Sequence, residues 1–243
     1  MGKAGCERKN KCHDHLSARL WLDAAHPFVD RVADKGPRED TFKTAMPDLV
    51  TPPTEPLTLS ERARAALRGR NLIFVGLMGA GKSAIGRIVA QQLAMPFVDT
   101  DAEIERVSRM TIPELFAAYG EAEFRALETR VIERLLKSGP RVVSTGGGAF
   151  INERTRAVIR SGGLSLWLRA DLDVLWDRVN KRDNRPLLKT ENPKQTLENL
   201  MHQRYPIYAE ADVTVESRDI RKDAMAHEVL AVLAALAEEG KAR

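Results

Sequence analysis

An apolar run, Leu72-Ile73-Phe74-Val75, stops at Gly76-Leu77-Met78-Gly79-Ala80-Gly81-Lys82-Ser83, and Ile85, Ile88, Val89 and Leu93 then follow at helical spacing. A chain with this pattern must leave a strand, turn sharply over glycine and enter a helix. Glycines at 76, 79 and 81 allow positive φ and bring the main chain against a ligand with no Cβ in the way. The segment fits G-x-x-x-x-G-K-[ST], in which backbone N–H groups surround nucleotide phosphates. Gly79, Ala80, Gly81, Lys82, Ser83 and Ala84 are therefore the expected nucleotide contacts. Lys82 brings positive charge to the β- and γ-phosphates, and the Ser83 hydroxyl can ligate Mg²⁺.

The chain of 243 residues has room for one sizeable core and an appendage. Half of its twelve prolines fall in residues 1–68, which lack sustained periodicity. That arm is expected to be largely disordered, with one short helix over 60–68 capped by Ser60 and with Ala63, Ala66 and Leu67 on a shared face. Cys6, Cys12, His13 and His15 match no standard zinc spacing. With two cysteines, no signal-like apolar start and no apolar run of roughly 18 residues, a soluble cytoplasmic protein is expected. The net charge of +4 is interleaved rather than patched, which suits anionic small molecules and not nucleic acid or membrane.

From residue 70 strands and helices alternate. Strands are expected at 72–75, 97–99, 142–144, 164–168 and 213–215. Helices follow the phosphate loop, open at Thr111-x-x-Glu114 with Gly120 as a stop, run from 121 to 137, and occupy 171–180, 193–208 and 222–238. This order implies an α/β fold, a five-stranded parallel sheet with helices on both faces, over residues 69–243. His202 reads as a surface residue, and Trp167 and Trp176 as core.

Three further groups carry chemistry. Asp99 and Asp101 end the second strand, where i and i+2 share a side. One carboxylate can hold Mg²⁺ while the other takes a proton from a hydroxyl. Capping of a helix by Asp101, with Asp99 solvated, is the bland alternative. Gly146, Gly147 and Gly148 follow the third strand and expose consecutive N–H groups. Arg125 and Arg204 can each grip a carboxylate with two parallel hydrogen bonds. Arg178, Arg182 and Arg185 lie in or beside 181–192, a polar stretch that reads as a lid able to bring positive charge to a transferring phosphoryl group.

The order and spacing of Gly76 to Ser83, Phe97-x-Asp99-x-Asp101, Phe124-Arg125-x-x-Glu128, Thr145-Gly-Gly-Gly148, Arg185-Pro-Leu-Leu188 and Arg204-x-x-x-Tyr208 resemble the shikimate kinase family over about residues 70–238. The resemblance implies a nucleoside-monophosphate-kinase-like fold and ATP-dependent phosphorylation of the shikimate 3-hydroxyl, in aromatic amino-acid biosynthesis, by a monomer. It implies that Arg125 and Arg204 clamp the carboxylate and that Asp101 contacts the ring hydroxyls as base. Gly147 then packs on the substrate with Gly146 and Gly148 beside it, and Ser83 and Asp99 hold Mg²⁺. Lys82 and Arg185 act on the phosphates, and Arg178 lies near adenine. Two departures are residues 1–68 and the segment 217–222, which lacks a proline often found there. Rival readings are a gluconate or nucleoside monophosphate kinase, and a nucleotide-binding regulatory module. A chain starting near Leu67 is expected to keep its activity.

Overall fold

The computed structural model describes residues 56–181 and 190–238. All lie within one unit, Pro53–Arg243. Its centre is β1 (Asn71–Val75), buried along its whole length because helices cover both faces of the sheet. The other strands are β2 (Phe97–Asp99), β3 (Val142–Ser144), β4 (Gly163–Arg169) and β5 (Val213–Glu216). Their order is β2-β3-β1-β4-β5 and every pairing is parallel. The connections out of β1 and β3 therefore run to opposite sides. Ligands in such sheets bind in the crevice beyond the strand C-termini at that reversal. The phosphate loop follows β1 directly, so it opens at this crevice.

Eight α-helices are present among the described residues: α1 (Leu59–Leu67), α2 (Lys82–Gln92), α3 (Thr100–Ser108), α4 (Ile112–Lys137), α5 (Glu153–Gly162), α6 (Leu172–Val179), α7 (Pro193–Tyr208) and α8 (Lys222–Glu238). Within α4, Thr111 and Glu114 form the expected reciprocal cap. Gly120 leaves the helical region at φ 76° and ψ 175°, so α4 is two helical arms joined at a break. Phe116 and Phe124 stack across it at 4.5 Å. With Ile104, Leu115, Val131 and Leu135 they build a second small core, separate from the one beneath the sheet.

Two sequence expectations change. Thr58, not Ser60, caps α1: its hydroxyl accepts the Glu61 N–H at 3.3 Å, and the Glu61 carboxylate accepts the Thr58 N–H at 2.8 Å. The pair needs a glutamate three residues on, and only Thr58 has one. Helix α5 had no counterpart in the sequence reading. Its buried apolar stripe is narrow, while Asn152 caps it by accepting from the Thr155 N–H at 3.1 Å. Its cap and its amphipathic pattern were both signals. Trp167 is buried and Trp176 packs partly buried against the core, as expected, and His202 is exposed.

Helix α1 is integral to the unit it precedes. Ala63, Ala66 and Leu67 are buried, α8 is its main packing partner, and Arg64 bonds the Leu93 carbonyl at the end of α2 at 3.1 Å. The arm readings for residues 1–55 lie outside the described residues. Chains beginning at Pro53 and at Leu67 allow this packing to be tested. Cutting at Leu67 removes two buried methyl groups and uncovers their partners on α8. The expected loss is about 2 kcal/mol, or roughly 4–8 °C in Tm by calorimetry. Equal melting of the two shortened chains would contradict this packing role.

Candidate active site

Gly81 caps the N-terminus of α2 at φ 97°, a backbone state that β-carbon-bearing residues rarely adopt. The helix then begins at Lys82 with its unpaired N–H groups and positive dipole end at the loop. Lys82 is buried, and its ammonium donates to the Gly76 and Leu77 carbonyls at 2.8 and 2.9 Å. Both bonds lie within the loop, so the charge is held where phosphate oxygens would be received. Ser83 donates to Asp99 Oδ2 at 2.6 Å, and its hydroxyl lies 3.0 Å from that of Ser144.

Asp99 also caps α3: Oδ1 accepts the N–H groups of Asp101 at 3.1 Å and Ala102 at 3.4 Å. The capping role considered for Asp101 thus belongs to Asp99, because β2 ends there and Asp101 already lies in the helix's first turn. The two carboxylates share the site through a strand-to-helix corner and not through strand alternation. Asp101 faces the triple glycine. A Cβ on Gly146 would lie 2.6 Å from Asp101 Oδ1 and 3.2 Å from Glu128 Oε1.

The triple-glycine segment is held from several elements. Thr145 donates its N–H and hydroxyl to the Phe74 carbonyl at 3.1 and 2.9 Å. Gly146 donates its N–H to the buried Thr100 hydroxyl at 3.1 Å. Gly148 has the Arg125 guanidinium against it: an added Cβ would sit 2.7 Å from Arg125 Cζ, so no larger residue fits without displacing that arginine. The Gly147 carbonyl accepts from Arg204 Nη1 at 3.2 Å and from the Tyr208 hydroxyl.

Arg125 is paired with buried Glu128 at 2.8 Å and with Glu121 at 3.2 Å. Burial pushes the Glu128 carboxyl above its usual range; Arg125 pulls it back, and nearby Asp101 adds to the push. Burial acts to lower Arg125, but the two glutamates more than offset it and hold the guanidinium firmly charged. Burial also pushes the Tyr208 phenol up to about 12.

Arg178 ties the phosphate loop to the segment after β5. Its Nη1 donates to the Gly79 carbonyl at 3.3 Å and to the Ser217 hydroxyl at 2.9 Å, and Nη2 donates to the Arg218 carbonyl at 2.6 Å. Ser217 in turn donates to the Ala80 carbonyl at 2.8 Å. A cleft of about 650 Å³ results, lined by Gly79, Gly81, Lys82, Ser83, Ala84 and Arg178 on the loop side. Asp99, Asp101, Gly146 and Gly147 line it opposite. Ala80 is buried beneath the loop, while Arg125, Gly148 and Arg204 border the triple glycine outside that lining. Arg182 and Arg185, with the Arg-Pro-Leu-Leu segment, lie outside the described residues.

Thr100, Ser144 and Ser217 were not singled out in the sequence. Ser144 had a signal, being a polar end to a short apolar strand, as had Thr100, which follows one; Ser217 opens the segment 217–222 that the family resemblance had marked. Among the described residues no group of three or more His, Cys, Asp or Glu side chains gathers to hold a metal. The hard oxygens of Ser83 and Asp99 suit Mg²⁺, which binds through one or two protein groups and keeps waters. No helix among the described residues is long and apolar enough to cross a membrane.

The shikimate kinase family model matches residues 78–234. The shikimate kinase of Rhizobium leguminosarum bv. trifolii (strain WSM2304) is 76% identical over 185 residues, covering 76% of this chain and 94% of that protein. That of Rhizobium meliloti (strain 1021) is 73% identical over 183 residues, covering 74% and 95%. Among solved structures, shikimate kinase from Acinetobacter baumannii in complex with shikimate superposes with a TM-score of 0.67 at 36% identity, over 71% of this chain and 97% of that one. The sheet order, the phosphate loop and the glycine and arginine groups around one cleft agree with these likenesses, and the chain belongs to the shikimate kinase family.

Proposed function

We propose that the chain carries out its family's reaction, transfer of the ATP γ-phosphoryl group to the shikimate 3-hydroxyl, giving shikimate 3-phosphate and ADP. The observation that carries this reading is the single cleft in which the phosphate loop faces Asp101 and the triple glycine, with Arg125 and Arg204 beside that glycine segment. The two halves differ in chemistry as the two substrates do. Loop N–H groups and Lys82 suit a triphosphate. Two guanidinium groups, a carboxylate and exposed glycine backbone suit an anionic polyol.

Within this reading Arg125 and Arg204 orient the substrate by its carboxylate, and Gly146, Gly147 and Gly148 let the ring approach the main chain. Asp101 accepts the proton of the hydroxyl as its oxygen attacks the γ-phosphorus, and the bond to the ADP oxygen breaks. Lys82 follows the charge developing on the transferred group, and Arg185 adds to it. Arg178, fixed between the loop and residues 217–218, borders the nucleotide base. Ser83 and Asp99 would hold Mg²⁺, which would supply positive charge to offset that of the triphosphate. All these groups come from one chain, so a monomer suffices. On this reading the protein is cytoplasmic and acts on small molecules without a nucleic-acid or membrane partner.

A coupled ADP-release assay over shikimate, gluconate and nucleoside monophosphates should give turnover with shikimate alone; turnover with gluconate and not shikimate would sink the reading. Asp101→Asn should lower kcat by about 10²–10⁴-fold while ATP affinity by calorimetry stays nearly unchanged. An unaltered kcat would remove Asp101 as base. Ser83→Ala should raise the Mg²⁺ concentration needed for half-maximal rate by about tenfold or more, and an identical Mg²⁺ titration would exclude the hydroxyl as a ligand.

A further inference from the structure

Arg204 and Tyr208 stand one helical turn apart on α7 and reach the same atom, the Gly147 carbonyl oxygen. A carbonyl has two lone pairs and can take both donors. They differ in kind. Tyr208 is fully buried, whereas Arg204 is half-buried and its contact is 3.2 Å long. We propose that Tyr208 is a positioning residue for capture of the acidic substrate. By keeping the Gly147 carbonyl satisfied, it lets Arg204 give up its own bond there and turn to the substrate carboxylate.

The physical argument concerns what is left behind. A part-buried carbonyl that loses its only donor bears the full desolvation cost of that loss, so a lone Arg204 would be held back by it. With Tyr208 in place the carbonyl keeps one buried donor when the guanidinium, which also interacts with the Tyr208 hydroxyl, turns away. The phenol can serve at all working pH values because burial keeps it protonated to about 12. A second effect follows from peptide geometry. In a trans peptide the C=O and the next N–H point opposite ways, so anchoring the Gly147 carbonyl toward α7 directs the Gly148 N–H away from it. Ring packing is independent of the hydroxyl. Tyr208 lies against Trp167, Tyr205 and Phe150, with ring centroids 6.0, 6.3 and 6.4 Å away, and a phenylalanine would keep these contacts.

Tyr205 supplies an internal control. Its hydroxyl, also half-withdrawn from water, donates to the Ala170 carbonyl beyond β4 and touches neither the glycines nor Arg204. In steady-state kinetics on the full chain, Tyr208→Phe should raise KM for shikimate about tenfold, lower kcat less, and leave KM for ATP within about twofold. Tyr205→Phe should change none of these although it loses the same kind of bond. An unchanged KM for shikimate in Tyr208→Phe, or an equal rise in both variants, overturns the proposal. In a double-mutant cycle, Arg204→Lys and Tyr208→Phe should be non-additive in kcat/KM; strict additivity overturns it as well.

A measurement on the unsubstituted chain stands if Tyr208→Phe does not fold. With its three tyrosines replaced by 3-fluorotyrosine, the ¹⁹F resonance of Tyr208 should move on shikimate addition and that of Tyr205 should not. A static Tyr208 resonance counts against the proposal. The inference rests on the reaction proposed above, and the two fail differently. A wild-type chain inactive on shikimate defeats that reaction, whereas an active one indifferent to Tyr208→Phe defeats only this role.

Discussion

One carboxylate joins the two halves of this site. Asp99 receives the Ser83 hydroxyl through one oxygen and caps α3 through the other. The first turn of the phosphate-loop helix is thereby locked to the start of the helix that carries Asp101. These bonds add to the sheet pairing of β1, β3 and β2 in setting the distance between the phosphates and the accepting hydroxyl. Phosphoryl transfer leaves the protein little covalent work and asks for placement and charge, so this spacing matters more than any single contact. The triple glycine repeats the design with Thr145, Thr100, Tyr208 and Arg204, each from a different part of the chain or a different turn of one helix.

Charge is handled by partnership. Glu128 is buried, which would be costly alone, but it lies 2.8 Å from Arg125. The pair keeps an arginine straight and charged at the edge of the cleft. Its position against Gly148 explains why a third consecutive glycine is needed: a side chain there would collide with the guanidinium. The glycines read in the sequence as exposed backbone for a ligand are, in three dimensions, also a surface cut to fit the arginine beside them.

The sequence was most informative where a local rule is strict. The phosphate loop, the Thr111–Glu114 cap and the apolar strands all obey short-range chemistry, and each fell where that chemistry required. It was least informative where identity depends on a distant partner. Helix α5 escaped although it is amphipathic, because its apolar face is short and its Asn152 cap was passed over. Ser217 matters only because β5 delivers it beneath Ala80, far away in sequence. Asp101 was expected in the cleft and is there, but as a helix residue, since nothing in three residues of strand marks where the backbone turns. Thr100, between the two aspartates, was passed over because its partner is a backbone N–H from another loop.

Helix α8 carries Met225, Ala226, Val229, Leu230, Leu233 and Ala234, all buried, on more of its circumference than one sheet face can cover. Helix α1 closes the remainder. Without it, the outer stripe of α8 would be an apolar seam of the sort through which chains pair with copies of themselves. The short helix before the first strand therefore behaves like a tethered surrogate subunit: it supplies from the same chain, at a fixed local concentration, the contact that a dimer would otherwise have to find.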